Sequence, residues 1–228
     1  MKKIFTFLSL LLLGLTIQAQ NIVTITDNDL QGNQTYNWTS NNTYLLDGFV
    51  FLEAGGVLNI EAGTVIKGKE SPTTSDNASA LIITRDAQIN AIGTAQQPII
   101  FTAEIDDVND SADLFADDRG LWGGLIILGN AQLANTTAET RVEGIPDGED
   151  RAIFGGTDDA DNSGTLRYVS IRHGGAELSP GNEINGLTLG GVGNGTVVEN
   201  IEVVANQDDG VEWFGGTVNV KNVLVAEM

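Results

Sequence analysis

Three short segments restrict what this chain can fold into more than any other feature: "LRYVSI" (166–171), "VENIEV" (198–203) and "VKNVLV" (220–225). Each has apolar residues at its first, fourth and sixth positions and a charged residue at its second. The four-and-six spacing is the alternation of a β-strand, in which every second side chain faces the same way. The three-residue step before it breaks that alternation and predicts a bend. Asn200 and Asn222 stand at the bend, and asparagine tolerates left-handed backbone. The copies are offset by 32 and 22 residues, with "ELSPGNE" supplying most of the excess in the longer interval.

A second series interleaves with the first. "RGLWGG", "NGLTLGG" and "DGVEWFGG", starting at Gly120, Gly186 and Gly210, share a polar residue, glycine, then leucine or valine, and end in Gly-Gly. Upstream, "GGVLNIEAGTVIKG" and "ALIITRDAQINAIGTAQQPIIFTAE" show more strands of four to six residues with glycine-containing corners. No sustained apolar period near 3.6 residues predicts a helix after the first twenty residues. A period in the low twenties made of short strands predicts a solenoid, in which a lone coil cannot bury its apolar face but stacked coils can. A β-sandwich also has short alternating strands, although its strands need not repeat at a fixed offset.

These segments, read from Tyr44 to the end, resemble the large secreted right-handed parallel β-helix proteins of Gram-negative bacteria. Many of those are type IX-secreted surface proteins without assigned activity. The resemblance implies an all-β chain, a right-handed parallel β-helix, and says almost nothing about chemistry. Residues 20–43 are expected to cap the first coil, because a bare solenoid end exposes strand edges. Coils are expected over 44–228, interrupted by the acidic insertions "KGKESPTTSDNAS", "EIDDVNDSADLFADD" and "EGIPDGEDRAIFGGTDDADNSG". The chain stops soon after the strand "VKNVLV", which reads as a fragment of a longer protein, incomplete at its C-terminus.

The first residues, "MKKIFTFLSLLLLGLTIQAQ", pair a basic start with an apolar run and a small residue at Ala19. That pattern is a cleaved secretory signal over 1–19, too short for a spanning helix, and it predicts a secreted or outer-surface location with no transmembrane segment in the mature chain. Zero cysteines exclude disulfides, thiolate metal sites and a cysteine nucleophile. Eleven basic against 31 acidic residues give a formal charge of −20, which repels nucleic acid and anionic lipid and attracts divalent cations.

Chemistry concentrates in "NQDDGVEWFGG" (206–216), where Asp208, Asp209 and Glu212 provide paired carboxylates beside Trp213. Stacking of coils places Asp209 near Asn185, and Asp208 and Asn206 near Glu183, His173 or Arg172. Glu212 faces outward, because Val211 and Trp213 take the other parity. Two carboxyls about 5 to 9.5 Å apart are what glycoside hydrolysis requires, so Asp208, Asp209 and Glu212 are candidate catalytic residues. The β-helix hydrolases to which the chain is compared add a Gly-His-Gly and an Arg-Ile-Lys; here His173 stands in "RHGG" and no Arg-Ile-Lys follows. A lyase would use Arg172 with calcium. His173, Arg172 and Trp213 are candidate ligand-binding residues, although a lone histidine cannot build a zinc site without cysteine partners. Trp38, Trp122 and Trp213 serve as sugar platforms only if exposed. "DADNSG" sets Asp159, Asp161 and Ser163 at the first, third and fifth positions of a calcium-loop-like turn, with Gly164 at the sixth. Asp107, Asn109, Ser111 and Asp118 make a weaker match. The expectation is a structural or binding module contacting polysaccharide or another surface component, stabilised by Ca2+; the alternative is a polysaccharide-cleaving hydrolase or lyase.

Overall fold

The computed structural model describes residues 21–134, 138–179 and 181–228, so the expected leader at 1–19 lies outside the described residues. The described chain is strand and turn, apart from two single-turn 3₁₀ segments at Asp27–Asp29 and Asp150–Ala152. A ten-stranded sheet bent along one corner forms two walls, and a five-stranded sheet forms the third. All pairings within these two sheets are parallel, which excludes the sandwich.

The first wall stacks Thr35–Trp38, Val57–Ile60 and Gln88–Ile92 beneath the leading halves of Gly164–Arg172, Val197–Val204 and Asn219–Ala226. The second stacks Asn21–Ile25, Asn42–Leu46, Val65–Gly68 and Ile99–Ala103 beneath the trailing halves of the same three long strands. The repeated motif is therefore one strand turning a corner. Val169, Ile201 and Val223 are consecutive partners in a single file, as are Leu166, Val198 and Val220. Tyr168, Asn200 and Asn222 occupy the bend with φ of 49°, 57° and 55°. This region costs most residues energy, and asparagine less than most.

The third wall stacks Phe49–Leu52, Ala80–Ile83, Leu125–Leu128, Leu187–Gly190 and Val211–Phe214. Its first four strands are buried at every position, which explains runs such as "ALII" and "LIIL" that do not alternate. Val50, Leu81, Leu125 and Leu187 point into the interior column. Phe49, Phe51, Ile82 and Ile126 point outward and are sealed by Val142, Ile145, Ala152 and Phe154 of the long insertion, with Ala176 and Ile184 of the next corner. The insertion expected to be an acidic corner decoration thus carries its own apolar face.

Two expectations meet a different arrangement. Residues assigned to a cap contribute strands, since Asn21–Ile25 and Thr35–Trp38 pair in register with Asn42–Leu46 and Val57–Ile60, while Leu30 and Trp38 enter the core. "RGLWGG" is not a copy of the second series: Leu125 pairs with Leu187, so Gly124 corresponds to Gly186, and Gly120 instead donates its N–H to Gly174. Trp122 is the reason. Its indole is fully buried, donates to the Arg172 carbonyl at 2.7 Å and lies over Gly68, where an added Cβ would come within 2.8 Å of it.

Candidate functional site

The corner between the second and third walls builds the acid-rich site in the last windings. Gly186 N–H donates to the Asp209 carbonyl and Leu187 N–H to that of Gly210, so the 205–210 corner stacks directly on the 185–187 segment. Asn206 is fully buried and donates its amide to the carbonyls of both Asp208 and Asp209 at 3.0 Å, which closes the turn. Glu212 follows on the wall, opposite Thr188 and facing outward. Its Oε2 accepts from the Nδ2 of buried Asn185 at 2.5 Å.

A residue far away in sequence completes the group. Glu143, from the long insertion, also accepts from the Asn185 side chain and lies within the fields of Asp208, Glu183 and Asp209. Partial burial first, then these neighbouring carboxylates, raise its pKa above the ordinary value, against the Asn185 bond. Glu212 is raised as well, by burial first and then by Glu143, Asp209 and Asp208, again against the Asn185 bond. Two carboxyls therefore share one buried amide among three further acids. Such a place holds protons or cations more readily than a free carboxylate does.

Glu143 also lines an open pocket of about 540 Å³, with Asp76, Asn77, Arg141 and Asn182 around it and Phe49 beneath. Arg141 is fixed by the Glu149 carbonyl and by Asp150 at 3.4 Å. Asn182 accepts from Gly144 N–H at 2.9 Å, and Asn77 donates to the Leu178 carbonyl at 3.3 Å. The pocket walls are therefore tied together by hydrogen bonds between three separate segments.

Asp208 and Asp209 lie within the field of Glu212 at this corner, and Glu183 within that of Glu143. His173 and Arg172 stand elsewhere. His173 is buried with φ of 57°, and its Nδ1 lies 2.5 Å from the Asp118 carbonyl, tying down the 104–118 insertion. Arg172 bonds Ser170 at 2.9 Å and faces Glu202 at 3.8 Å on the outside of the second wall. Trp213 is the register partner of Leu189 but is 45% exposed, outside the packed interior column. Trp38 stacks on Tyr44 at 4.5 Å and, like Trp122, is buried, so neither is a sugar platform.

The calcium-loop-like turn has other occupants for its oxygens. Asp159 accepts from Gln132 N–H at 3.1 Å, and Asp161 accepts from Asn130 at 3.1 Å and Ser163 at 3.3 Å. In the weaker match, Asp107 accepts from Asn109, and Asp118 caps Phe115 N–H at 2.8 Å. Among the described residues no three acidic or imidazole side chains converge as a ready-made metal group. Glu143 was invisible to sequence reasoning because nothing near it repeats; Val142 and Ile145, which dock its segment, stand three residues apart and follow no strand alternation.

Three parallel walls wound about one apolar column, with a variable corner beside the third wall, define a parallel β-helix protein. The signature described as "Pectate-lyase like beta helix domain" matches residues 30–228, and the chain belongs to that family. No curated protein and no solved structure matches it. Among the described residues no helix is long and apolar enough to cross a membrane.

Proposed function

We propose that the protein is an extracellular β-helix module that binds a hydroxyl-rich, predominantly neutral polysaccharide or surface glycan in the pocket bounded by Asp76, Asn77, Arg141, Glu143 and Asn182. The observation that carries this reading is the pocket itself: carboxylates, amides and a guanidinium converge over an aromatic floor. That mixture supplies both donors and acceptors to vicinal hydroxyls. The apolar outer face of the third wall is closed by the chain's own insertion, so a glycan meets the protein at this edge and not along the sheet. A formal charge of −20 disfavours polyuronates, whose own carboxylates would be repelled. Affinity electrophoresis against neutral and acidic glycans tests the reading. Retardation by neutral glycans, lost in Asn182→Ala, supports it; equal mobility in every gel contradicts it.

One observation favours a second reading, a polysaccharide-cleaving enzyme. Glu143 and Glu212 both have raised pKa values, as a general acid does, and Glu143 opens onto the pocket. Release of reducing ends that disappears in Glu143→Gln would support cleavage. Binding without any release supports the module.

A further inference from the structure

The pocket assigned to a glycan is lined by four charged side chains, Asp76, Arg141, Glu143 and Asp147. Arg141 is matched by Asp150 at 3.4 Å and gives another N–H to the Glu149 carbonyl, and neither of those partners lines the pocket. The three carboxylates make no ion pair among the described residues. Hydrogen bonding deepens the imbalance. Asp76 Oδ2 accepts from the Phe49 N–H at 3.0 Å and the Thr74 hydroxyl at 2.8 Å, while no donor among the described residues serves its Oδ1. Asn77 gives an N–H to the Leu178 carbonyl at 3.3 Å and keeps its amide oxygen open. Asn182 is the reverse, since its oxygen accepts from Gly144 and its NH2 stays open. The lining therefore offers mostly acceptors under a net negative charge.

A hydroxyl both donates and accepts, so a neutral ring satisfies such a lining only in part. A protonated amine carries three donors and no acceptor, and its charge is opposite to that of the carboxylates. We propose that the ring held in this pocket belongs to an amino sugar whose amine is free and protonated, with Asp76 and Asp147 setting the preference. The inference rests on the glycan reading and narrows it to one substrate class. Phe49 is the apolar floor beneath the ring, and the open NH2 of Asn182 serves a ring hydroxyl. The fields of Asp208, Glu183 and Asp209, which act on Glu143, extend the negative potential beyond the pocket itself. Acetylation of the amine removes its charge and replaces two donors with an acceptor, so an N-acetylated ring fits less well.

The experiment titrates glucosamine oligomers, and N-acetylglucosamine oligomers of the same length, into the intact chain by calorimetry at fixed ionic strength. The expected result is binding about tenfold tighter for the amine form, an advantage that shrinks as salt is raised. Asp76→Asn and Asp147→Asn should each reduce the advantage by about threefold, the yield of one exposed ion pair. Asp147 bonds to nothing among the described residues, so its substitution leaves the fold alone. Asp117→Asn, on the 104–118 insertion, controls for general attraction to an acidic chain and should change nothing. Equal affinity for the two oligomers, or a preference that survives both pocket substitutions or falls as far in Asp117→Asn, overturns the amino-sugar site. A lysine oligomer of equal charge that binds as tightly overturns it too, because the pocket would then read charge without a ring. In each of those cases the glycan reading stands as long as neutral glycans still retard the chain and Asn182→Ala still abolishes the effect. If no oligomer and no neutral glycan binds, both readings fall.

Discussion

Asn222 donates its side-chain amide to the side-chain oxygen of Asn200 at 3.0 Å, one winding below it. Both hold left-handed backbone at the bend between the first two walls, and the bond joins the corners of adjacent coils. Asn200→Ala removes the bond and puts a less tolerant residue at φ of 57°. It should cost about 1–2 kcal/mol, read as a lower urea midpoint with an unchanged slope. Asn200→Gly keeps the backbone at ease and should lose less.

Gly68→Ala tests the packing that displaces "RGLWGG" from the repeat. Gly68 has no left-handed backbone, so the effect is steric: the new methyl meets Trp122 Cβ and Cε3 at 2.8 Å. Overpacking of this kind costs roughly 1–3 kcal/mol. The near-ultraviolet circular dichroism of Trp122 should change as the indole shifts.

Arg151 fastens the long insertion to the first winding. It contacts both carboxylate oxygens of Asp27 at 3.0 and 2.9 Å, binds Glu149 at 2.9 and 2.7 Å, and lies 4.1 Å from the centroid of the Phe51 ring. Arg151→Ala should lower stability by about 1–3 kcal/mol and speed amide exchange over 139–155 more than in the walls. Arg151→Lys should rescue little, because lysine lacks the planar fork.

Acid should weaken the fold through Asp47. Burial raises its pKa, but bonds from Lys69 at 2.7 Å and from the Thr73 N–H and hydroxyl at 2.6 Å outweigh it, and the net direction is down from 3.8. A depressed folded-state pKa means stability present above the unfolded value and lost as pH falls through the folded one. Asp47→Asn should therefore lower the melting temperature at neutral pH and narrow its gap to wild type in acid. Glu143 works in the opposite sense. Its raised pKa costs stability as pH rises through it, so Glu143→Gln should raise the melting temperature at neutral pH in cation-free buffer.

Much of the winding was legible in the sequence because its information is local. A bend residue and two alternating apolar residues fix the corner at Asn200 and Asn222, and equal offsets stack one copy on the next. The same logic brought Asp209 to Asn185 and turned Glu212 outward. It failed where long-range packing decides. Trp122 imitates a repeat but fills a hole over Gly68, and His173 turns toward Asp118 because its left-handed backbone aims it at the earlier insertion. Glu143 reaches the site only through the docking of an insertion whose apolar residues show no period.

Register is the claim on which every placement above depends, and cross-linking tests it most directly. The chain has no cysteine, so introduced pairs are unambiguous. Ser170 and Glu202 are register partners on the outside of the second wall, with their side-chain oxygens 2.6 Å apart, whereas Val204 pairs with Arg172. Partners on adjacent strands lie about 4.8 Å apart, within disulfide reach. Ser170→Cys with Glu202→Cys should oxidise to a full intramolecular disulfide, and Ser170→Cys with Val204→Cys should remain reduced under the same conditions. The reverse pattern, or equal cross-linking of both pairs, would contradict the winding and the site built on it.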